Sequence, residues 1–295
     1  MARSCRRRTG RSCCGALLRF AKGPLRGPGR DVVDIYTPRS LAEALRLKSE
    51  LPDARLVQGG TDVLVELNFD RSRPPALVNL NEVDELRGWR RENGSLVLGA
   101  GLTYAEAMRE ELAGALPALA EASRTVGSPQ IRSRGTIGGN LGTASPAGDA
   151  LPPLLVEGAE VEVASIRGER VLPLEEFLVG VKRNALAADE IVTAVRVRAS
   201  GGRQTFMKVG PRNAMVIAVC SLAVVVDSER DEVRAAFGSA APTARLVTVP
   251  LAEVASLPEV VAAAASPIDD VRGSAAYRLH ALRVLAGRAL ERCTA

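Results

Sequence analysis

Histidine is almost absent from this 295-residue chain, which has only His280. Its five cysteines, at positions 5, 13, 14, 220 and 293, include no CxxC pair. A zinc or iron–sulfur site needs three or four thiolates or imidazoles at close spacing, so no metal is expected on this chain. The same scarcity leaves no nucleophile–base pair, and no catalytic side chain is assigned. Scattered cysteines suit a reducing cytoplasm better than a disulfide framework. Long apolar runs are missing too. The longest, 214–226, is interrupted by Cys220 and Ser221 and falls short of the ~20 residues a membrane helix needs. Aromatic residues make up only 3%, so a planar ligand would be packed mainly by aliphatic side chains.

An even spread of positive charge is also lacking. The formal net charge is +5, but Arg3, Arg6, Arg7, Arg8, Arg11, Arg19, Lys22, Arg26 and Arg30 precede the first acid, Asp31. The remainder is slightly acidic, so the basic balance describes a tail and not a nucleic-acid face. Arg19 ends the apolar stretch after Leu18 too early for a secretory signal, which needs about 7 to 15 apolar residues. Residues 1–30 therefore read as a disordered basic extension or a start placed too far upstream, with targeting as the alternative.

What is present is an alternation of short strands and helices. Ser40 followed by Glu43 is a capping box ahead of Leu41, Ala44 and Leu45. A strand at 54–57 runs into Gly59-Gly60, and 62–69 fits a helix or an extended segment. Strands follow at 74–80 and 95–101, then a helix capped by Thr103 and a longer helix at 113–123. Residues 159–164 alternate with period two, and 170–174 form another strand. The last third offers about four strands, at 190–198, 205–209, 221–227 and 233–237, then two helices from about 251 and over 274–292. This is an α+β chain whose length allows two cores. The expected division is 31–185, with subdomains 31–86 and 87–185, and a C-terminal domain 186–295.

Two glycine loops carry the chemistry, Gln58-Gly59-Gly60-Thr61-Asp62 and Thr136-Ile137-Gly138-Gly139-Asn140. Without a Cβ, backbone N–H groups can crowd around an anion. Thr61 and Asp62 beside the first loop, and Thr136 and Asn140 beside the second, add polar groups. Two such nests on two units would suit the diphosphate bridge of a dinucleotide. Ordinary tight turns are the plain alternative, since neither loop matches GxGxxG or GxxxxGK[ST].

The stretch Arg132-Ser133-Arg134-Gly135-Thr136-Ile137-Gly138-Gly139-Asn140, continued through Ser145, Pro146 and Asp149 to Pro153, resembles the flavin-binding signature of the medium subunits of xanthine dehydrogenase and carbon monoxide dehydrogenase. Val57 to Val65 resembles the first loop of that family. Phe206 to Ala214, Gly238 to Thr243 and Ser274 to Arg278 resemble its C-terminal motifs. The resemblance runs from about Tyr36 to Ala289. It implies a vanillyl-alcohol-oxidase-type (PCMH-type) FAD-binding domain of two α+β subdomains, plus a small C-terminal α+β domain with an antiparallel sheet.

Carried over by position, Arg55, Leu56, Val57, Gln58, Gly59, Gly60, Thr61 and Asp62 would wrap the FAD pyrophosphate from one side. Thr136, Ile137, Gly138, Gly139 and Asn140 would approach from the other, with Ser145 in the continuing signature. Asp149 would hold a ribityl or ribose group, Val192 would lie near the flavin ring and Lys208 near its polar edge. For Lys208, a solvated strand-end lysine is the alternative. Some family members place an aromatic side chain before the second loop; residues 124–131 contain none, and Val126 stands nearest that position. The resemblance also implies a [2Fe-2S] small subunit and a molybdopterin large subunit, as a dimer of heterotrimers, with NAD or another acceptor receiving electrons. Xanthine dehydrogenase-type is the preferred branch and carbon monoxide dehydrogenase-type the alternative. A non-catalytic docking module is the reading from another class, and a stand-alone flavin oxidase is a third reading within the enzymes.

Overall fold

The computed structural model describes residues 33–212 and 215–294. The basic extension, together with Asn213 and Ala214 of the third motif, lies outside the described residues.

Local sequence signals set the first unit. Ser40 Oγ accepts from the Glu43 N–H at 3.2 Å, and the Glu43 carboxylate reaches back to the Arg39 N–H at 2.9 Å. This cap starts α1 (Leu41–Glu50) between the parallel strands β1 (Asp34–Tyr36) and β2 (Arg55–Val57). The 62–69 segment resolves as helix α2 (Val63–Asn68), leading to β3 (Ala76–Asn79). The sheet order is β1-β3-β2, all parallel, so crossover connections are required, and α1 and α2 supply them.

The second unit is a five-stranded antiparallel sheet with helices against it. Its strands are β4 (Trp89–Glu92), β5 (Ser95–Gly99), β6 (Glu160–Ser165) and β7 (Gly168–Pro173). A hairpin of β8 (Leu178–Gly180) and β9 (Arg183–Asn184) precedes the fifth, β10 (Ile191–Val197). The order β4-β5-β10-β6-β7 places β10 at the centre. The change of sheet therefore falls after Val197, not near 185 as expected: β10 is apolar enough to be buried on both faces.

Thr103 and Glu106 form a full capping box at α3 (Tyr104–Ala107). The single helix expected at 113–123 is instead two, α4 (Glu110–Ala115) and α5 (Pro117–Thr125). Pro117 carries no N–H and fits the first turn of a new helix better than the middle of an old one. Helices α6 (Pro129–Arg132), α7 (Ile137–Thr143), α8 (Leu151–Val156) and α9 (Leu174–Phe177) complete the unit.

The C-terminal part is a meander, β11 (Arg203–Val209), β12 (Cys220–Asp227), β13 (Glu232–Gly238) and β14 (Arg245–Pro250). β14 had no counterpart in the sequence reading. Helices α10 (Leu257–Ala264) and α11 (Ala275–Thr294) follow. Every residue of β12 is buried. Its side chains alternate between two cores: Leu222 and Val224 pack with Leu282, Leu285 and Ala289, while Ala223 and Val225 join the core that includes Leu151 and Leu155.

Two carboxylates grip the edge strand β11. Glu157 accepts from the Ser200 N–H at 2.9 Å, from its hydroxyl at 3.2 Å and from the Gln204 amide. Glu121 accepts from Thr205 Oγ1 at 2.9 Å, the Phe206 N–H at 2.7 Å and Arg292 at 3.0 Å. Burial pushes the Glu157 carboxyl above its ordinary range, so the donors around it offset a real desolvation penalty. Glu121→Ala strands the Phe206 N–H and the Thr205 hydroxyl, an expected loss of roughly 1–3 kcal/mol. Thermal unfolding should show a Tm lower by several degrees, whereas Glu175→Ala, at an exposed position, should leave it unchanged.

Candidate functional site

The first glycine loop follows β2 and is unlike any ordinary turn in its unused donors. Among the described residues, no protein acceptor meets the N–H groups of Gly59, Gly60, Thr61, Asp62 or Val63. Gly60 has φ +74, in the left-handed region that glycine adopts freely. Gly59 is required for a different reason: a Cβ there would overlap the carbonyl oxygen of Arg134 and stand 3.0 Å from the Gly135 Cα. Asn81 Nδ2 donates to the Gln58 carbonyl at 2.8 Å, and the Arg134 guanidinium reaches Asn81 Oδ1 at 3.1 Å. Thr143 Oγ1 donates to Asp62 Oδ2 at 3.0 Å, tying the far end of the loop to α7. The segments around Gly59 and Gly135 are therefore opposite walls of one cleft, of about 400 Å³.

The second glycine motif is not a second amide nest. Residues 137–143 are helical, and their early N–H groups already have acceptors. Ile137 donates to Leu102 O at 2.9 Å and Gly138 to Ala100 O at 2.8 Å. Gly139 donates to Thr136 Oγ1 at 3.0 Å, and Asn140 to Thr136 O at 3.0 Å. Its glycines serve packing: a Cβ at Gly138 would stand 2.6 Å from Ala100 Cβ and O. The two-nest expectation is corrected on that point. The first loop offers amides; the second wall offers side chains and a closely packed helix.

Arg55 through Asp62 line the cleft, as do Thr136, Gly138, Gly139, Asn140 and Val192. Ile137 is wholly buried and faces the core. Ser145, Asp149 and Lys208 are not in the cleft wall. Ser145 instead accepts from the Ala147 N–H at 3.3 Å, shaping the turn before Asp149. Lys208 is no solvated lysine: its ammonium donates to Asp149 Oδ2 at 2.6 Å and to the Thr125 carbonyl at 3.0 Å, with both side chains buried. Burial pushes the Asp149 carboxyl up, against the pull of Lys208. Asp149 Oδ1 and Asn140 Oδ1 are buried without a hydrogen-bond partner. Val126, nearest the missing aromatic, packs partly buried on the core.

Sequence reading missed four contributors. Tyr104 lies under Gly135, where a Cβ would meet its ring at 3.1 Å, and burial raises its phenol. Glu190 lines the cleft and takes two 2.7 Å bonds from Arg170 and another from the Ala187 N–H. The Arg170 guanidinium holds its carboxyl below the ordinary value. Asn184 reaches the Gly142 carbonyl at 2.9 Å. Lys48 also lines the cleft. None of them sits in a motif; only the strand-to-helix neighbourhood of Lys48 and Tyr104 was legible.

Five unpaired amides in a row, the orphaned Asn140 Oδ1 and a glycine-permitted close approach fit a ligand with phosphate and hydroxyl groups. FAD has both. Residues 31–198 match the family described as the FAD binding domain in molybdopterin dehydrogenase. Over 284 residues the chain is 30% identical to the "Putative xanthine dehydrogenase FAD-binding subunit" of Escherichia coli, covering 90% of this chain and 97% of that relative. It is 29% identical to the "Carbon monoxide dehydrogenase medium chain" of Hydrogenophaga pseudoflava, over 88% of this chain and 96% of the other. A solved Cu,Mo-CO dehydrogenase chain superposes with a TM-score of 0.83 at 28% identity, spanning 88% of this chain and 97% of that one.

Gly59→Ala should lower thermal stability by roughly 1–3 kcal/mol, because the Arg134 backbone must move to admit the methyl group. Gly142→Ala, with open space around the added Cβ and a helical backbone, should raise it by roughly 0.5–1 kcal/mol. Denaturant midpoints of the two variants measured side by side check the contrast.

Proposed function

This chain belongs to the FAD-binding domain family of the molybdopterin dehydrogenases, and we propose that it is the flavin-holding subunit of a xanthine dehydrogenase-type molybdenum hydroxylase. It is an oxidoreductase subunit with the PCMH-type fold. The observation that carries the reading is the row of unpaired N–H groups from Gly59 to Val63 on the wall of a cleft. FAD, when bound, supplies the redox chemistry, and the protein's part is to hold it and shape its surroundings.

The residues divide that work. The amides of 59–63 are placed to take the pyrophosphate oxygens, as backbone donors in an anion nest do. Thr136, Gly138 and Asn140 form the facing wall, and Val192 adds an aliphatic surface from β10. Asp149, with one oxygen committed to Lys208 and one free, is set to accept from a ligand hydroxyl. Lys208, fixed by Asp149 and Thr125 outside the cleft lining, would act on the flavin through the Asp149 carboxylate that it holds.

The partners follow as part of the same proposal. A small subunit with two [2Fe-2S] clusters delivers electrons, and a large molybdopterin subunit oxidises the substrate. NAD or another acceptor receives the electrons, the whole being a dimer of heterotrimers. The reading is supported by relatives named as subunits or chains of dehydrogenases and matched over nearly their full length. We assign the complex to the cytoplasm, in keeping with the buried, unpaired Cys220 and Cys293. No helix of the described residues is long and apolar enough to cross a membrane.

Purified protein mixed with FAD and desalted should retain one flavin per chain, read from the flavin absorption bands. Absence of bound flavin would overturn the proposal. Gly60→Val, at a left-handed position, should abolish retention while co-purification with the two partner subunits persists. Loss of assembly with flavin retained would instead mark the loop as a docking surface.

A further inference from the structure

One cation in the cleft wall has no acidic partner. Lys48 lies in the last turn of α1 and is only 8% exposed. Its ammonium donates to the Pro52 carbonyl at 2.6 Å and the Ala54 carbonyl at 2.8 Å, and among the described residues no carboxylate forms an ion pair with it. An ammonium has three N–H bonds, so one is left over. The neighbouring acids do not answer it. Glu190 is taken by Arg170 and Asp189 by Arg167, each at 2.7 Å. Asp53 is exposed and acts on Lys48 only at a distance. Burial consequently presses the lysine towards its neutral form.

A buried charge without a counter-charge is expensive, and a C-cap for α1 could be made by a neutral donor. The location supplies the reason for keeping it. The chain runs from the Ala54 carbonyl that Lys48 holds, through β2, directly into the free amides of 59–63, and all of these border the same cleft. Amide dipoles attract an anion but carry no net charge. We infer that Lys48 is a binding residue for the phosphate-bearing part of the dinucleotide, supplying the net positive charge that the glycine loop lacks. This rests on the flavin-site reading above.

The test is the dissociation constant of FAD for the flavin-stripped full chain, followed by flavin fluorescence, in wild type, Lys48→Gln, Lys48→Met and Lys48→Arg. Glutamine keeps N–H donors for Pro52 and Ala54 and removes only the charge. At about 20 mM NaCl, both neutral variants should bind FAD about tenfold more weakly, and Lys48→Arg should stay near wild type. At about 500 mM NaCl most of that difference should persist, because a buried charge pair is screened far less than an exposed one. No loss in Lys48→Gln, or an equal loss in the charge-keeping Lys48→Arg, overturns the inference and leaves Lys48 a helix cap. Should Lys48→Met unfold, Lys48→Gln alone decides. Failure of the wild type to bind FAD would refute the flavin-site reading itself, a result separate from wild-type binding matched by Lys48→Gln.

Discussion

The cleft depends on one close approach of backbone to backbone. Gly59 and Arg134 belong to different units of the chain, and they meet with no room for even one methyl group between them. That contact brings the loop after β2 against the wall before α7. The Asn81, Arg134 and Thr143 side chains then hold the register. With the walls fixed in this way, the N–H groups of the loop are held in position without acceptors of their own. Preorganised donors of this kind lose little further freedom when a ligand arrives, which is what makes them effective binding groups.

The same economy governs the charged groups. Acids in the interior are each matched: Glu190 with Arg170, Asp149 with Lys208, Glu121 and Glu157 with the backbone and side chains leading into and along β11. The last two explain how the C-terminal meander stays seated, since an edge strand otherwise presents unpaired groups to solvent. Lys208 lies on that strand two residues after Phe206, so the grip of Glu121 on the Phe206 N–H also fixes where the Lys208 ammonium can go. Seating of the sheet edge and placement of the Lys208–Asp149 pair are thus one arrangement.

Much of this was readable residue by residue. The Ser40 cap and the Thr103–Glu106 capping box depend on neighbours three positions apart, and both formed as their sequences implied. The unpaired amides of the first glycine loop were foreseeable because strand, paired glycines and polar neighbours are contiguous. The second was misread as a loop of free amides. Thr-Ile-Gly-Gly-Asn looks flexible in isolation, yet Thr136 caps a helix there, with Ala100 packed against Gly138 and the Thr136 hydroxyl against Gly139. The lysine and glutamate of the cleft, Lys48 and Glu190, gave no signal, because nothing local distinguishes a buried charge from a solvated one.

What the chain determined by itself was therefore what acts over a few residues: caps, the period-two strand at 159–164, the glycine positions and, by likeness, the family. Tertiary structure decided the rest. It placed β10, the last strand of its sheet in sequence, in the middle of that sheet between β5 and β6, paired Asp149 with Lys208, and set Gly59 against Arg134. Such contacts join residues far apart along the chain, so their geometry follows from packing and strand pairing and not from any pattern within a short window.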